Sequence, residues 1–100
     1  MYYELCVSES KEEDYGNLIK LLNEHGIQAK LDSHHGKNMF DTQIVDALLS
    51  FSANVAANVL AGIIVAGLGK GFTLLINGRK VKVESSEDLE NVINDINEEL

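Results

Sequence analysis

The sequence predicts an α+β domain with the element order β-α-β-α-β-β-α, in which a four-stranded mixed sheet carries a long apolar central helix and two amphipathic helices. Three observations carry this prediction. The chain opens on a strand-like alternation, the dipeptide Asn77-Gly78 separates two alternating segments, and apolar residues recur at helical spacing elsewhere. A chain of 100 residues with 45% hydrophobic and 24% charged residues suits a single domain over residues 1–100.

The first third of the chain predicts a strand, a helix and a second strand. Residues 2–8 alternate between apolar and polar side chains, and helical spacing follows over residues 11–25. Gly26 stands where a glycine commonly ends a helix, and residues 27–32 alternate again. Because the joints are short, we expect a right-handed crossover that leaves the two strands parallel.

The middle of the chain carries no charge from residue 47 to residue 69. That length is enough to span a bilayer, which needs ~20 residues. Two serines and two asparagines in its first half and the lack of flanking aromatic residues favour instead a buried helix from Asp41 or Thr42 to about Gly67. A phosphate-binding loop is disfavoured because "GLGKG" follows a helix and lacks the required glycine spacing.

This central helix is expected to have two faces. Bulky side chains form one stripe, which should pack on the sheet. Small and amide side chains recur every four residues on the other stripe, at Ser50, Asn54, Asn58, Gly62 and Ala66. Such a stripe lets another backbone approach closely, which is either a neighbouring helix of the same chain or a second copy in a homodimer.

The last third predicts a hairpin and a helix. Asn77-Gly78 is a strong two-residue turn signal, and it fixes the register of the flanking strands. The predicted pairs are Ile76 with Arg79, Leu74 with Val81, and Phe72 with Val83. Ser85 or Ser86 then caps a final helix whose apolar face consists of Leu89, Val92, Ile93, Ile96 and Leu100.

The net charge of −8 argues against nucleic acid and anionic membranes as partners, since both attract clustered Lys and Arg. The acids concentrate near the end of the chain, where residues 84–100 contain no base. This region is either a solvated helix face or a docking surface for a basic protein. A single cysteine, Cys6, and the lack of a signal pattern lead us to expect a reducing, cytoplasmic setting.

Residues capable of catalysis are few. Asp32, His34, His35 and Asp41 are metal-ligand types within one polar loop, but adjacent histidines point apart and no second cluster completes a site. Cys6 lies in the middle of a predicted strand, where a cysteine usually packs as an inert side chain. We therefore expect no enzyme, no metal and no cofactor.

Two resemblances to known families bear on function. The layout of residues 47–100, with an apolar helix, the hairpin "NGRKVKVES" and an acidic helix, resembles the effector-associated constant component modules of bacterial conflict systems. That resemblance implies a non-catalytic accessory or adaptor module, although this chain lacks the arginine-rich composition of those modules. The small-residue stripe would let such an adaptor homo-oligomerise through its central helix. In size, acidity and architecture the chain is also similar to immunity proteins that neutralise contact-dependent growth-inhibition toxins.

The second resemblance implies a bacterial, cytoplasmic protein that binds a basic, nuclease-like toxin domain. We expect electrostatic steering by acidic side chains together with a few apolar anchors. The acids assigned to this surface are Glu87, Glu90, Asp95 and Glu98 of the last helix, and Glu9, Glu12 and Glu13 near the start of the first; the expected apolar anchors are Met39 and Phe40.

Overall fold

A computed structural model describes residues 1–7, 12–32 and 48–98, with the backbone alone for residues 12–14. Within these ranges the chain is an α+β domain with three helices and five strands. The elements are β1 (Tyr2–Val7), α1 (Glu12–Glu24), β2 (Ala29–Asp32), β3 (Leu48–Ser52), α2 (Ala57–Leu68), β4 (Phe72–Ile76), β5 (Arg79–Val83) and α3 (Ser86–Glu98).

The strands form one sheet in the order β2-β3-β1-β4-β5, and each described strand pairs with its neighbours in antiparallel orientation. The prediction of a mixed sheet is therefore wrong. The strands β1 and β2 do run in the same direction, because both are antiparallel to β3, but β3 lies between them. This is a split β-α-β arrangement, as in ferredoxin-like folds, extended by the β5 edge strand and α3.

The prediction of a single long central helix is also wrong, and with it the four-stranded sheet. The segment divides into β3, a connection over residues 53–56, and α2. Leu49, Phe51 and Ala53 are buried and alternate with more exposed serines, which is the period-two pattern of a strand. Because β3 lies between β1 and β2, it hydrogen-bonds to the backbone edge of each strand. The polar groups on those edges need such partners.

The predicted hairpin is confirmed with its register. Phe72 lies opposite Val83, Leu74 opposite Val81, and Ile76 opposite Arg79. Both turn residues have positive φ, 48° at Asn77 and 83° at Gly78. These are the angles that a tight two-residue turn between antiparallel strands requires, and Asn and Gly adopt them most readily.

The turn residue Asn77 also continues the pairing between β4 and β1. Its backbone N–H donates to the Glu4 carbonyl at 3.0 Å, and its side-chain Oδ1 accepts from the Glu4 N–H at 2.8 Å. Its Nδ2 donates to the Tyr2 carbonyl at 3.2 Å. The side-chain amide thus replaces a peptide group of a longer β4 and satisfies the edge of β1 where β4 has ended.

The predicted end of α1 and the predicted start of α3 are confirmed, whereas the central helix begins at Ala57 instead of Asp41 or Thr42. At the end of α1, Gly26 has φ 76°, and the Ile27 N–H donates to the Leu22 carbonyl at 2.9 Å, which is the bond of a Schellman C-cap. At the start of α3, the Asp88 carboxylate accepts from the backbone N–H groups of Glu84 and Ser85 at 3.0 and 3.1 Å. Leu100, predicted on the apolar face of α3, lies outside the described residues.

The helices cover one face of the sheet, and α2 lies between α1 and α3. Burial of apolar area on this face is the main stabilising term. The fully enclosed side chains include Tyr3 and Leu5 of β1, Leu18 and Leu22 of α1, Leu60 and Ile64 of α2, and Leu89 and Ile93 of α3. The opposite face of the sheet carries the remaining side chains of each strand and is here called the open face, because none of the described helices packs on it.

Candidate functional site

The acidic surface predicted at the end of the chain lies on the outer side of α3. Glu87, Asp95 and Glu98 are exposed, and Glu90 is half-buried. Because α3 contains no Lys or Arg, these carboxylates have no cation on their own helix. Asp88 is different, since its carboxylate caps the helix and serves a local structural role.

The structure describes only part of the other predicted docking residues. Glu12 and Glu13 begin α1, which α2 separates from α3, and their side chains lie outside the described residues. Glu9, Met39 and Phe40 also lie outside the described residues, so their proposed contacts stay predictions. The acidic surface considered below is therefore that of α3 alone.

The predicted small-residue stripe is divided between different elements, because the central helix begins later than expected. Asn58, Gly62 and Ala66 do lie on one exposed side of α2. Val59 beside them is 40% exposed, an unusual exposure for a large aliphatic side chain among the described residues. Ser50 instead belongs to β3, and Asn54 lies in the connection that precedes α2.

Lysines mark the open face of the sheet. The register places Lys30 of β2 and Lys80 and Lys82 of β5 on this face, opposite the helices. The Lys82 ammonium lies 3.9 Å from the Glu84 carboxylate. The two side chains are 69% and 73% exposed, respectively, so this ion pair adds little stability. The lysines of the open face and the acids of α3 therefore point to opposite sides of the domain.

A cleft of ≈ 680 Å³ opens on the same face at the end where β1 begins. The register explains its shape, because Ser50 and Ser52 of β3 lie between longer side chains on both neighbouring strands. Its lining comprises Tyr2, Gly26, Gln28, Ala29, Lys30, Ser50, Phe51 and Ser52. Tyr2, Gln28 and Ser52 were not predicted as site residues, although the alternation of serines with Leu49 and Phe51 indicates a strand with a small-residue face.

Cys6 lies on the open face of β1 opposite Leu75, and its side chain is fully buried. Burial raises the pKa of the Cys6 thiol to about 11, and the nearby Glu4 carboxylate acts in the same direction. The thiol is therefore protonated at neutral pH, which makes it a poor nucleophile and a poor metal ligand.

No group of three or more His, Cys, Asp and Glu side chains within the described ranges is arranged to hold a metal ion. His34, His35 and Asp41, which we did not expect to form a metal site, lie outside the described residues. Among the helices that the structure describes, none combines the length and the apolar character needed to cross a membrane.

No protein-family model, curated protein or solved structure matches this chain. A shared strand order says nothing about activity, since one fold carries many functions. Function must therefore be argued from the acidic surface, the exposed side of α2 and the cleft.

Proposed function

We propose that this chain is an immunity-type binding protein that docks the outer side of α3 on a basic, nuclease-like toxin domain and blocks its substrate groove. The observation that carries this proposal is the separation of charge. Exposed Glu87, Asp95 and Glu98 share a helix without cations, whereas the lysines of the open face lie on the other side of the sheet. Such a surface attracts a positively charged partner in a defined orientation.

The mechanism has a long-range and a short-range part. Charges on α3 act over about a Debye length, ~8 Å at physiological salt, and accelerate encounter with a basic surface. Residence time then requires apolar contact, because exposed ion pairs contribute only ~0–1 kcal/mol each. The exposed apolar side chain considered for this contact is Val59, at 40% exposure on the adjacent helix α2. The blocked groove would normally hold a polyanion, which the carboxylates imitate.

The test uses two charge-reversal variants with the same change in net charge. Asp95→Lys with Glu98→Lys alters the docking surface, and Glu4→Lys with Glu24→Lys alters exposed acids elsewhere. The proposal predicts that a basic toxin domain is encoded directly beside the gene for this chain. The association rate of that domain is measured by stopped-flow at several salt concentrations. We expect the α3 variant to associate at least about tenfold more slowly and to lose most of its salt dependence.

Two results would contradict this proposal. Equal losses in both variants would mean that net charge alone drives association. Unchanged rates in the α3 variant would mean that docking occurs elsewhere. A growth assay with the toxin domain expressed beside each variant provides the functional readout, and protection should weaken in the α3 variant alone.

A second candidate function rests on the exposed side of α2. In this alternative the chain is a non-catalytic adaptor that pairs with a second copy of itself through Asn58, Val59, Gly62 and Ala66. Its support is the exposure of Val59 together with the open space around Gly62, where an added Cβ meets no atom within 4 Å. Sedimentation equilibrium should then give a dimer that Ala66→Glu dissociates, and a strict monomer at high concentration would exclude this function.

A further inference from the structure

The cleft on the open face is independent of the acidic surface of α3 and is large enough to admit a small molecule. Its volume of ≈ 680 Å³ lies within the range of ligand pockets, ~300–1,000 Å³. The side chains of Ser50 and Ser52 form a low floor. Taller side chains from β1 and from the residues around β2 form the two walls, and these strands are about 10 Å apart because β3 lies between them.

The two walls differ in chemistry. On one side, Tyr2 is 53% exposed. Among the large hydrophobic residues in the described ranges, it is more exposed than Val59. On the other side, Lys30 is the one charged side chain among the described residues of the lining, and Gln28 stands beside it. Within the described part of the chain, Lys30 makes no salt bridge. The Ser50 hydroxyl is aimed at the Lys30 carbonyl at a long distance of 3.5 Å, so it retains hydrogen-bonding capacity.

We propose that this cleft binds a small aromatic monocarboxylate, with its ring against Tyr2 and its carboxylate directed to Lys30. An exposed tyrosine ring offers a flat surface for offset stacking. A lysine beside hydroxyl and amide groups offers charge-assisted hydrogen bonds to a carboxylate. An aromatic ring system that carries a carboxylate group spans the distance between the two walls, and the small serine side chains leave room beneath it.

Charge decides between a monocarboxylate and a more highly charged anion. Glu4 is the direct cross-strand neighbour of Ser50 on the open face, and the chain carries a net charge of −8. A phosphate dianion would meet this field with only one lysine to offset it. A neutral aromatic molecule would leave Lys30 without a counter-charge, so a single negative charge fits best.

The experiment is a titration of the full chain with 2-naphthoate, followed by the backbone amide signals in two-dimensional NMR spectra. We expect saturable shifts confined to residues of the cleft, with weaker binding for 2-naphthol, cyclohexanecarboxylate and phenyl phosphate. Lys30→Gln should weaken 2-naphthoate binding about fivefold, since an exposed ion pair contributes up to ~1 kcal/mol. Lys82→Gln, on the same face but outside the cleft, is the matched control and should leave the affinity unchanged.

A second variant keeps the proposal open to refutation if Lys30 contributes little. Ser52→Leu fills the floor at an exposed strand position, and the spread of the amide signals checks that the variant is folded. Retained 2-naphthoate binding in this variant would overturn the proposal. So would shifts that do not saturate, equal effects of Lys30→Gln and Lys82→Gln, or tighter binding of phenyl phosphate. None of these results bears on α3, so the docking proposal is tested separately.

Discussion

Two glycines of α2 provide a sharp test of how the helices pack. An added Cβ at Gly67 would lie 2.9 Å from the Leu18 Cα of α1 and 3.1 Å from the Leu18 Cβ and Cδ1. An added Cβ at Gly62 would meet no atom within 4 Å. The same substitution, Gly to Ala, therefore has opposite consequences at two positions of one helix.

The magnitudes follow from two competing terms. Alanine is favoured over glycine in a helix interior by ~0.5–1 kcal/mol, and Gly62→Ala should gain this amount in the free energy of unfolding. Gly67→Ala gains less, because it lies in the last turn of α2. It also forces the backbones of α1 and α2 apart, and overpacking of this kind costs ~1–3 kcal/mol. We expect a net loss of about 1–2 kcal/mol for Gly67→Ala and a difference of about 1.5–3 kcal/mol between the variants.

The assay is urea unfolding followed by far-ultraviolet circular dichroism at low protein concentration. The midpoint should rise for Gly62→Ala and fall for Gly67→Ala with an unchanged slope, which shows that the compactness of the unfolded state is unaltered. In thermal unfolding, each kcal/mol corresponds to about 4–8 °C for a domain of this size. If Gly67→Ala were as stable as Gly62→Ala, the close approach of Gly67 to Leu18 would be refuted.

Three further outcomes are expected. Asn77→Gly keeps the positive-φ turn but removes both side-chain hydrogen bonds to β1, which should lower the free energy of urea unfolding by about 1–2 kcal/mol; no loss would show that these bonds are replaced by water. Tyr15→Phe removes the hydroxyl that accepts the Val7 N–H at 2.9 Å, and thermal unfolding should show a loss of about 1–2 kcal/mol. Alkylation of Cys6 by iodoacetamide should be slow in the folded chain and fast in urea. Its rate in the folded chain should keep rising with pH toward about 11, because burial favours the protonated thiol, and a plateau near 9 would contradict this.

Some parts of the fold were predictable because a few neighbouring residues encode them. The Asn77-Gly78 turn determines which residues of β4 and β5 face each other, so the register followed from the turn type alone. Gly26 ends α1 for a similarly local reason, since its positive φ is costly for other residues. These features depend on backbone geometry within a few residues, which the sequence specifies directly.

The segment around β3 shows where local patterns become ambiguous. Leu49, Phe51 and Ala53 fit a strand, whereas the recurrence of Ser50, Asn54 and Asn58 at intervals of four also fits a helix. The space between β1 and β2 resolves this ambiguity, because their facing edges need a hydrogen-bonding partner. No pattern within the segment itself contains that requirement.

The candidate sites divide in the same way. The acidity of the last helix was visible as composition, and its amphipathic spacing predicted that Glu87 and Glu98 would be exposed. The cleft was not visible, because Tyr2, Lys30 and Ser52 are far apart in the chain and become neighbours only through the register of β1, β2 and β3.

The sequence by itself determined the charge of the surface, the end of α1, the start of α3 and the hairpin, because each depends on side-chain chemistry or backbone angles within a short segment. The tertiary structure alone decided that the apolar middle of the chain begins as a strand, that α2 approaches Leu18 through Gly67, and that serines form the floor of a cleft. The physical reason is that strand pairing and helix contact are selected by hydrogen bonding and packing between distant segments.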